Sequence, residues 1–242
     1  MKIGRVSFYS SSDPYLNLAL DESMLRLRDE SNYYATLRFW RNPRSVVLGR
    51  GQRVEDEMDA DYCSARGITV CRRCSGGGTV YHDEGNINVS LLLPRSAQSG
   101  AGIKATCTSI CRVLAESIRQ CGVDGIECVG TNITHHGRKV SGSASYFTKD
   151  SFLHHSTLLH SANLDDLERC LRRRTGAHKR GSSYMPTANL ADLELERWRG
   201  ALVALLGREY DAVFMEGDLT REELELAQML RQKYSSRAWI YG

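Results

Sequence analysis

Three consecutive glycines, Gly76 to Gly78, stand between two apolar stretches in the run Val70-Cys71-Arg72-Arg73-Cys74-Ser75-Gly76-Gly77-Gly78-Thr79-Val80-Tyr81-His82-Asp83. Glycine loses more backbone freedom on folding than any other residue, so a folded chain keeps three together only for a reason. Either the backbone turns sharply there, or it comes close to something bound. Ile68 to Arg73 and Asn86 to Leu93 read as strands on either side, so the fold must place β-structure around this turn. Arg72 and Arg73 lead into it, and paired guanidinium groups beside free N–H groups form an anion cradle as readily as a solvated turn. Neither G-x-x-x-x-G-K-[ST] nor a G-x-G-x-x-G opening a helix is present, so a phosphate here would be held by another geometry.

The flanking pattern is mixed. Residues 3 to 9 read as a strand, and Asp13 followed by Pro14 caps a helix whose Leu16, Leu20, Met24 and Leu27 form one stripe. Leu37 to Trp40 and Ser45 to Leu48 read as a strand pair joined through Asn42-Pro43. A short helix spans Val54 to Arg66 and stops at Gly67. Ile103, Cys107, Ile110, Cys111, Leu114 and Ile118 mark the clearest helix, ended by Gly122. Strands follow near Lys139 to Ala144 and Leu153 to Leu159, then a basic loop around residues 172 to 188. Leu195 to Leu206 form a helix ended by Gly207, and Thr220 with Glu223 makes a capping box for a last helix over 221 to 234. Strands in the middle with interspersed helices predict an α+β, mixed α/β class.

Composition sets the outer bounds. A 242-residue chain with 41% hydrophobic and 25% charged residues can bury a sizeable core and suits one large domain. A net charge of +3 is too weak a bias to indicate nucleic acid or a membrane surface. No apolar run nears the roughly 18 residues of a membrane span, and Met1 to Val6 lack a signal-peptide core, so a cytoplasmic setting is expected. Eight cysteines include a single C-x-x-C, Cys71 and Cys74, with no second half to complete a zinc set. Reduced structural thiols are expected, with Cys74 placed in the site by its position before the glycines.

The glycine block, with Gly85-Asn86-Ile87-Asn88 after it, resembles the signature of lipoate–protein ligases of the biotin/lipoate ligase superfamily. Asp13-Pro14-Tyr15-Leu16-Asn17-Leu18-Ala19 resembles the family's first helix, and Arg38 to Pro43 and Val46 to Gln52 its early strands. Gly137-Arg138-Lys139-Val140-Ser141-Gly142-Ser143-Ala144 and His154-His155-Ser156-Thr157-Leu158-Leu159 resemble its second block. The resemblance covers nearly the whole chain, in the right order. It implies an ATP-dependent enzyme that forms lipoyl-AMP and passes the lipoyl group to a lysine of an acceptor lipoyl domain.

Roles follow by position. Lys139 matches the family lysine that contacts the lipoyl carboxyl and the adenylate phosphate, and is the catalytic candidate. Arg73, Gly76, Gly77, Gly78, Thr79, Val80 and Tyr81 match nucleotide contacts. Arg72, Ser75, Lys139, Gly142 and His155 are expected at the lipoate end. His154 and His155, adjacent on a strand, must point to opposite faces and do not suit one metal. Magnesium is expected with ATP, its ligands unassigned. The basic loop Arg172 to Arg180 is either a solvated loop or an element that closes on phosphates.

Two departures stand out. The usual Gly-x-Asn-Asp becomes Gly130-Thr131-Asn132-Ile133, which removes a carboxylate. Leu230 to Gly242 resembles the segment that closes the catalytic domain, after which single-chain ligases continue into a small accessory domain. Residues 1–242 therefore read as one catalytic domain without that appendage, and a separate small subunit is the expected partner. The alternatives are an ATP-independent octanoyl or lipoyl transferase of the same fold, with Cys128 as its candidate nucleophile, and a non-catalytic lipoate or lipoyl-adenylate binder.

Overall fold

The computed structural model describes residues 1–28, 31–98, 100, 102–172 and 185–242. In chain order the elements are β1 (Lys2–Ser7), α1 (Pro14–Arg26), β2 (Ala35–Trp40), β3 (Ser45–Leu48), α2 (Val54–Glu57), α3 (Ala60–Ala65), β4 (Thr69–Arg72), β5 (Val80–His82) and β6 (Asn86–Pro94). Then come α4 (Ile103–Arg119), β7 (Ile126–Val129), β8 (Asn132–His135), β9 (Arg138–Phe147), β10 (Ser151–Leu159) and α5 (Leu164–Cys170). The last are α6 (Leu195–Tyr210), β11 (Ala212–Glu216), α7 (Arg221–Tyr234) and α8 (Arg237–Tyr241).

An eight-stranded mixed sheet runs in the order β11-β1-β2-β6-β10-β9-β8-β7, and a three-stranded sheet in the order β4-β3-β5. Side chains alternate across a strand, so register sorts residues onto two faces. Leu37, Leu91 and His154 lie in one cross-strand row, while Arg38, Ser90, His155 and Ala144 lie in the next, on the other face. The first face is covered by α4 and α6, where Ile110, Leu114, Ile118, Trp198, Leu202 and Leu206 pack with Leu37, Phe39, Val89 and Leu91. The second face meets α1 and the small sheet.

Helix α1 starts where the sequence places it. Asp13 accepts from the N–H groups of Tyr15 and Leu16, and Pro14 occupies the first turn. Its single predicted stripe is a correction, because Asn17, Leu18, Ala19, Asp21, Glu22 and Ser23 are buried as well as Leu16, Leu20 and Met24. α7 covers the side that would otherwise face water, and Ala227, Leu230 and Tyr234 join Leu16, Leu18 and Leu20 in one cluster. The predicted capping box of Thr220 and Glu223 at the head of α7 is present.

The predicted pairing of Leu37 to Trp40 with Ser45 to Leu48 does not occur. β2 pairs β1 and β6, whereas β3 pairs β4 and β5 in the other sheet. The connection between them crosses layers: Asn42 is fully buried, accepts from Asn17 Nδ2 at 2.9 Å and donates to Ser45 Oγ at 3.1 Å. Likewise β4 and β6 flank the glycine turn but belong to different sheets. The helix predicted over 54 to 66 divides at Met58, which is extended and bridges Leu171, and Asp59 caps the second piece. α6 runs through Gly207 to its buried anchor Tyr210 and ends on Asp211 at a left-handed φ of 50°. β7, β8 and β11 have no counterpart in the sequence reading, being four or five residues long with exposed Val129, Val213 and Met215.

Candidate active site

A cavity of about 500 Å³ opens between the second face of the large sheet and the small sheet. The glycine turn reaches it by being pulled back on Arg73. That side chain is fully buried; Nε donates to Ser75 Oγ at 2.9 Å, Nη1 to Val47 O at 3.1 Å, and Nη2 to Gly76 O at 2.6 Å and Gly78 O at 2.7 Å. Four acceptors on one guanidinium leave little for a ligand. Arg73 shapes the loop and supplies charge from behind it. Burial lowers its proton affinity to about 10.

A polar chain continues from Ser75. Its hydroxyl lies 2.6 Å from His155 Nε2, and His155 Nδ1 lies 3.5 Å from Asp21 Oδ2. The Asp21 carboxylate can only accept, so His155 Nδ1 carries its hydrogen toward it while Nε2 faces the Ser75 hydroxyl. Asp21 also accepts from Ser90 Oγ at 2.7 Å and from Arg38 Nη1 at 2.9 Å, and Ser90 accepts from Trp40 Nε1 at 2.9 Å. Burial works against the charge on Asp21, but its bond to His155 and the Arg38 guanidinium outweigh it and hold the carboxyl below its ordinary range.

Lys139 stands across the cavity on β9. Its backbone N–H donates to Pro186 O at 2.7 Å and its carbonyl accepts from Ala188 N at 3.0 Å, which fixes the strand from outside. The side chain crosses Gly142, where an added Cβ would stand 2.8 Å from Nζ. A larger residue there would push the lysine end group aside from its present position. Among the described residues no carboxylate pairs with Nζ. Burial, and then the nearby Arg73 charge, lower its proton affinity, the behaviour of a cation waiting for an anion.

The structure brings Arg73, Gly77, Gly78, Thr79, Val80, Lys139, Gly142 and His155 to the cavity wall. Ser75 and Tyr81 are buried outside the wall, and Gly76 is exposed beside it. Arg72 is the clearest displacement: its guanidinium donates to Ile240 O at 2.9 Å, Gly49 O at 2.9 Å and Gln52 O at 2.6 Å, tying β4 to the C-terminal helix rather than facing a substrate. Adjacent strand residues point to opposite sides, and Arg72 and Arg73 divide accordingly. Cys74 also turns away from the site. It packs with Met24, Leu25, Leu92 and Leu153, and burial pushes its thiol up to about 12.

Sequence reasoning missed Leu18, Trp40, Val47, His82, Asn88 and Thr131 in the wall. Trp40, Asn88 and Thr157 form one cross-strand row, visible only once β2, β6 and β10 are known to be neighbours. Leu18, Trp40, Val47 and Val80 share an apolar cluster, so the cavity has an apolar end. Thr131, Asn132 and Lys139 make the opposite end polar. Most of the basic loop, residues 173–184, lies outside the described residues; Arg172 itself donates to Glu55 O at 2.8 Å.

The cavity thus runs from an apolar end to Lys139, with the glycine turn in its wall. A family model described as the lipoyl protein ligase A/B catalytic domain matches residues 13–196. The chain belongs to that family. It is 30% identical to the lipoate-protein ligase LplJ of Bacillus subtilis (96% of this chain, 71% of that protein). Lipoate-protein ligase A subunit 1 of Thermoplasma acidophilum is 29% identical, over 94% of this chain and 92% of that subunit. The T. acidophilum protein Ta0514 with bound lipoic acid superposes with a TM-score of 0.83 at 29% identity, covering 99% of this chain and 100% of that one. A lipoate-protein ligase A bound with ATP gives 0.85 at 29% identity, covering 99% of each. The mixed α/β ligase fold implied by the motifs is the fold observed.

Membership sharpens two points. Where the family pattern has an aspartate, Ile133 is 1% exposed and packed in the main core with Val140. Among the described residues the cavity wall contains no carboxylate, and no group of three His, Cys, Asp or Glu is arranged for a metal. These side chains do not build a magnesium site. Cys128 lies on β7, bonds Gly130 O and does not reach the wall; burial raises its thiol. The three cysteines of α4 and β4, and Cys74, are buried and free of disulfides.

Proposed function

We propose that this chain is a lipoate–protein ligase that activates lipoate with ATP and passes the acyl group to a lysine of an acceptor lipoyl domain. The observation that carries the reading is Lys139, a half-buried cation that no carboxylate among the described residues pairs, in the wall of a cavity with an apolar end and the glycine turn. A carboxylate attacking an α-phosphate brings two anions together, and one compact positive charge at their meeting point stabilises the transition state more than either reactant. An anion at Nζ also restores the proton affinity that burial removed. Leu18, Trp40, Val47 and Val80 take the acyl chain, Thr79 and Val80 offer strand backbone to the nucleotide, and His155 fixes Ser75 and through it Arg73.

The match to nearly all of a T. acidophilum ligase subunit supports a second part of the proposal, that a separate small subunit completes the enzyme. A related structure is described as a bi-partite lipoate protein ligase with its E2 lipoyl domain, and it supports a lipoyl-domain acceptor. No helix among the described residues is long and apolar enough to cross a membrane, and a cytoplasmic setting fits the proposal.

The test is the intact mass of a lipoyl domain after incubation with this chain. Supplied with preformed lipoyl-adenylate, the domain should gain one lipoyl group; with lipoate and ATP the gain should need ATP and increase with the second subunit. Absence of transfer from the adenylate overturns the ligase reading. Cys128→Ser should leave transfer unchanged, whereas an ATP-independent transferase would lose it.

A further inference from the structure

The glycine turn is held from two sides by two arginines, and only one of them lines the cavity. Arg73 takes the Gly76 and Gly78 carbonyls from behind. The other two carbonyls of the turn, Ser75 O and Gly77 O, are held by the segment 49–52. Arg50 N–H donates to Ser75 O at 2.9 Å, and Gln52 Nε2 donates to Gly77 O at 3.2 Å. Gly49 lies so close that an added Cβ would stand 2.0 Å from Gly77 O. In a planar trans peptide the N–H opposes the C=O, so fixing these four carbonyls fixes where the amides of residues 76 to 79 point.

Segment 49–52 is a turn between β3 and α2, and Arg72 shapes it. The buried guanidinium donates from Nη1 to Gly49 O at 2.9 Å, Arg50 O at 3.2 Å and Gln52 O at 2.6 Å, while Nε donates to Ile240 O at 2.9 Å. Helix α8 closes the far side. Trp239 Nε1 donates to Arg72 O at 2.9 Å, and the Arg50 guanidinium lies 5.1 Å over the Trp239 ring. A lysine at 72 could keep the charge but could not serve the turn and α8 at once, because it lacks the fork.

Resting on the ligase reading above, we infer that Arg72 is a positioning residue for the ATP step. It shapes segment 49–52, which through Arg50 and Gln52 holds the Ser75 and Gly77 carbonyls and so aims the glycine amides at the nucleotide. Arg72 itself touches no substrate. Leu18 and Trp40, at the apolar end, stand on α1 and β2 and lie outside this chain of bonds.

The experiment is calorimetric titration of the full chain with ATP and, separately, with lipoate, in wild type, Arg72→Lys, Gln52→Met and the double variant. Methionine keeps the length of Gln52 and removes only its donor, since Arg72 bonds the Gln52 backbone. ATP should weaken by about ten-fold in Arg72→Lys and about three-fold in Gln52→Met, with lipoate held within about two-fold in both. The double variant should lose no more than Arg72→Lys alone, because both changes act on one carbonyl. A merely structural arginine would weaken both ligands alike and add to Gln52→Met, so equal weakening or additivity overturns the inference. Unchanged ATP affinity in Gln52→Met overturns it too, even where Arg72→Lys fails to fold. A wild type that binds ATP but forms no adenylate overturns the ligase reading instead, a result distinct from these.

Discussion

The two faces of the large sheet are both covered by other elements and are built differently. Toward α4 and α6 the sheet presents Leu37, Phe39, Val89 and Leu91, and the exceptional His154 is satisfied by Ser145 Oγ at 2.9 Å. Toward α1 and the small sheet it presents Arg38, Ser90, His155 and Asn88, threaded by Asp21 and Arg73. The first face supplies area-proportional, non-directional stabilisation that tolerates exchange of similar shapes. The second exchanges some of that for directional bonds, each of which leaves a costly orphan when one partner is lost. One parity of strand residues carries stability and the other carries the site.

The contrast can be broken most severely at Lys139. Lys139→Met should reduce adenylate formation by roughly a thousandfold, the scale of removing a charge-stabilising group, with little change in melting temperature. A large loss of stability alongside would place Lys139 among the structural residues. Next is Asp21→Asn, nearly the same shape, which strips the charge partner from buried Arg38 and should cost about 3–5 kcal/mol in urea unfolding. Leu91→Met on the opposite face, also a near-equal volume, should cost less than about 1.5 kcal/mol and leave acyl binding alone. If the two substitutions cost the same, the division between faces is wrong.

Acid is the mildest probe. Burial, reinforced by nearby charge (Arg73 then His155 for His82, His155 for His154), pushes both His82 and His154 down to about 3 from 6.5. The folded protein holds both neutral, so their contribution is complete above pH 6.5 and is lost progressively as pH falls toward 3, while the unfolded chain gains protons. Melting temperature should drop between pH 7.5 and 5, and His154→Asn should flatten part of that slope. A flat wild-type profile would show that the histidines are less buried than their positions require.

Local chemistry was legible in the sequence where it acts over a few residues. Asp13 with Pro14, Thr220 with Glu223, and the spacing of α4 all read directly, because caps and periodicity need no distant partner. The glycine block and Lys139 were legible through the motifs that carry them. The separation of β2 and β3 into different sheets was not, since it depends on Asn42 being pinned to Asn17 by a buried bond between residues 25 positions apart. Arg72 was misplaced for a similar reason: its partners Gly49, Gln52 and Ile240 come from both directions along the chain. The apolar end of the site escaped notice because Leu18, Trp40 and Asn88 meet only across three elements.

The first strand of the fold is completed by the last. β1 pairs in parallel with β2 on one side and β11 on the other, α1 packs on α7, and buried Arg5 bonds Glu223 at 2.6 Å. A ribosome that has delivered residues up to about the end of α6 has released a bare strand edge, an uncovered apolar helix and an unpaired buried arginine. Such a nascent chain cannot close by itself, and its opening segment is exposed to aggregation for as long as the final strand and helix remain to be made. The order of synthesis runs against the order in which the core can be sealed.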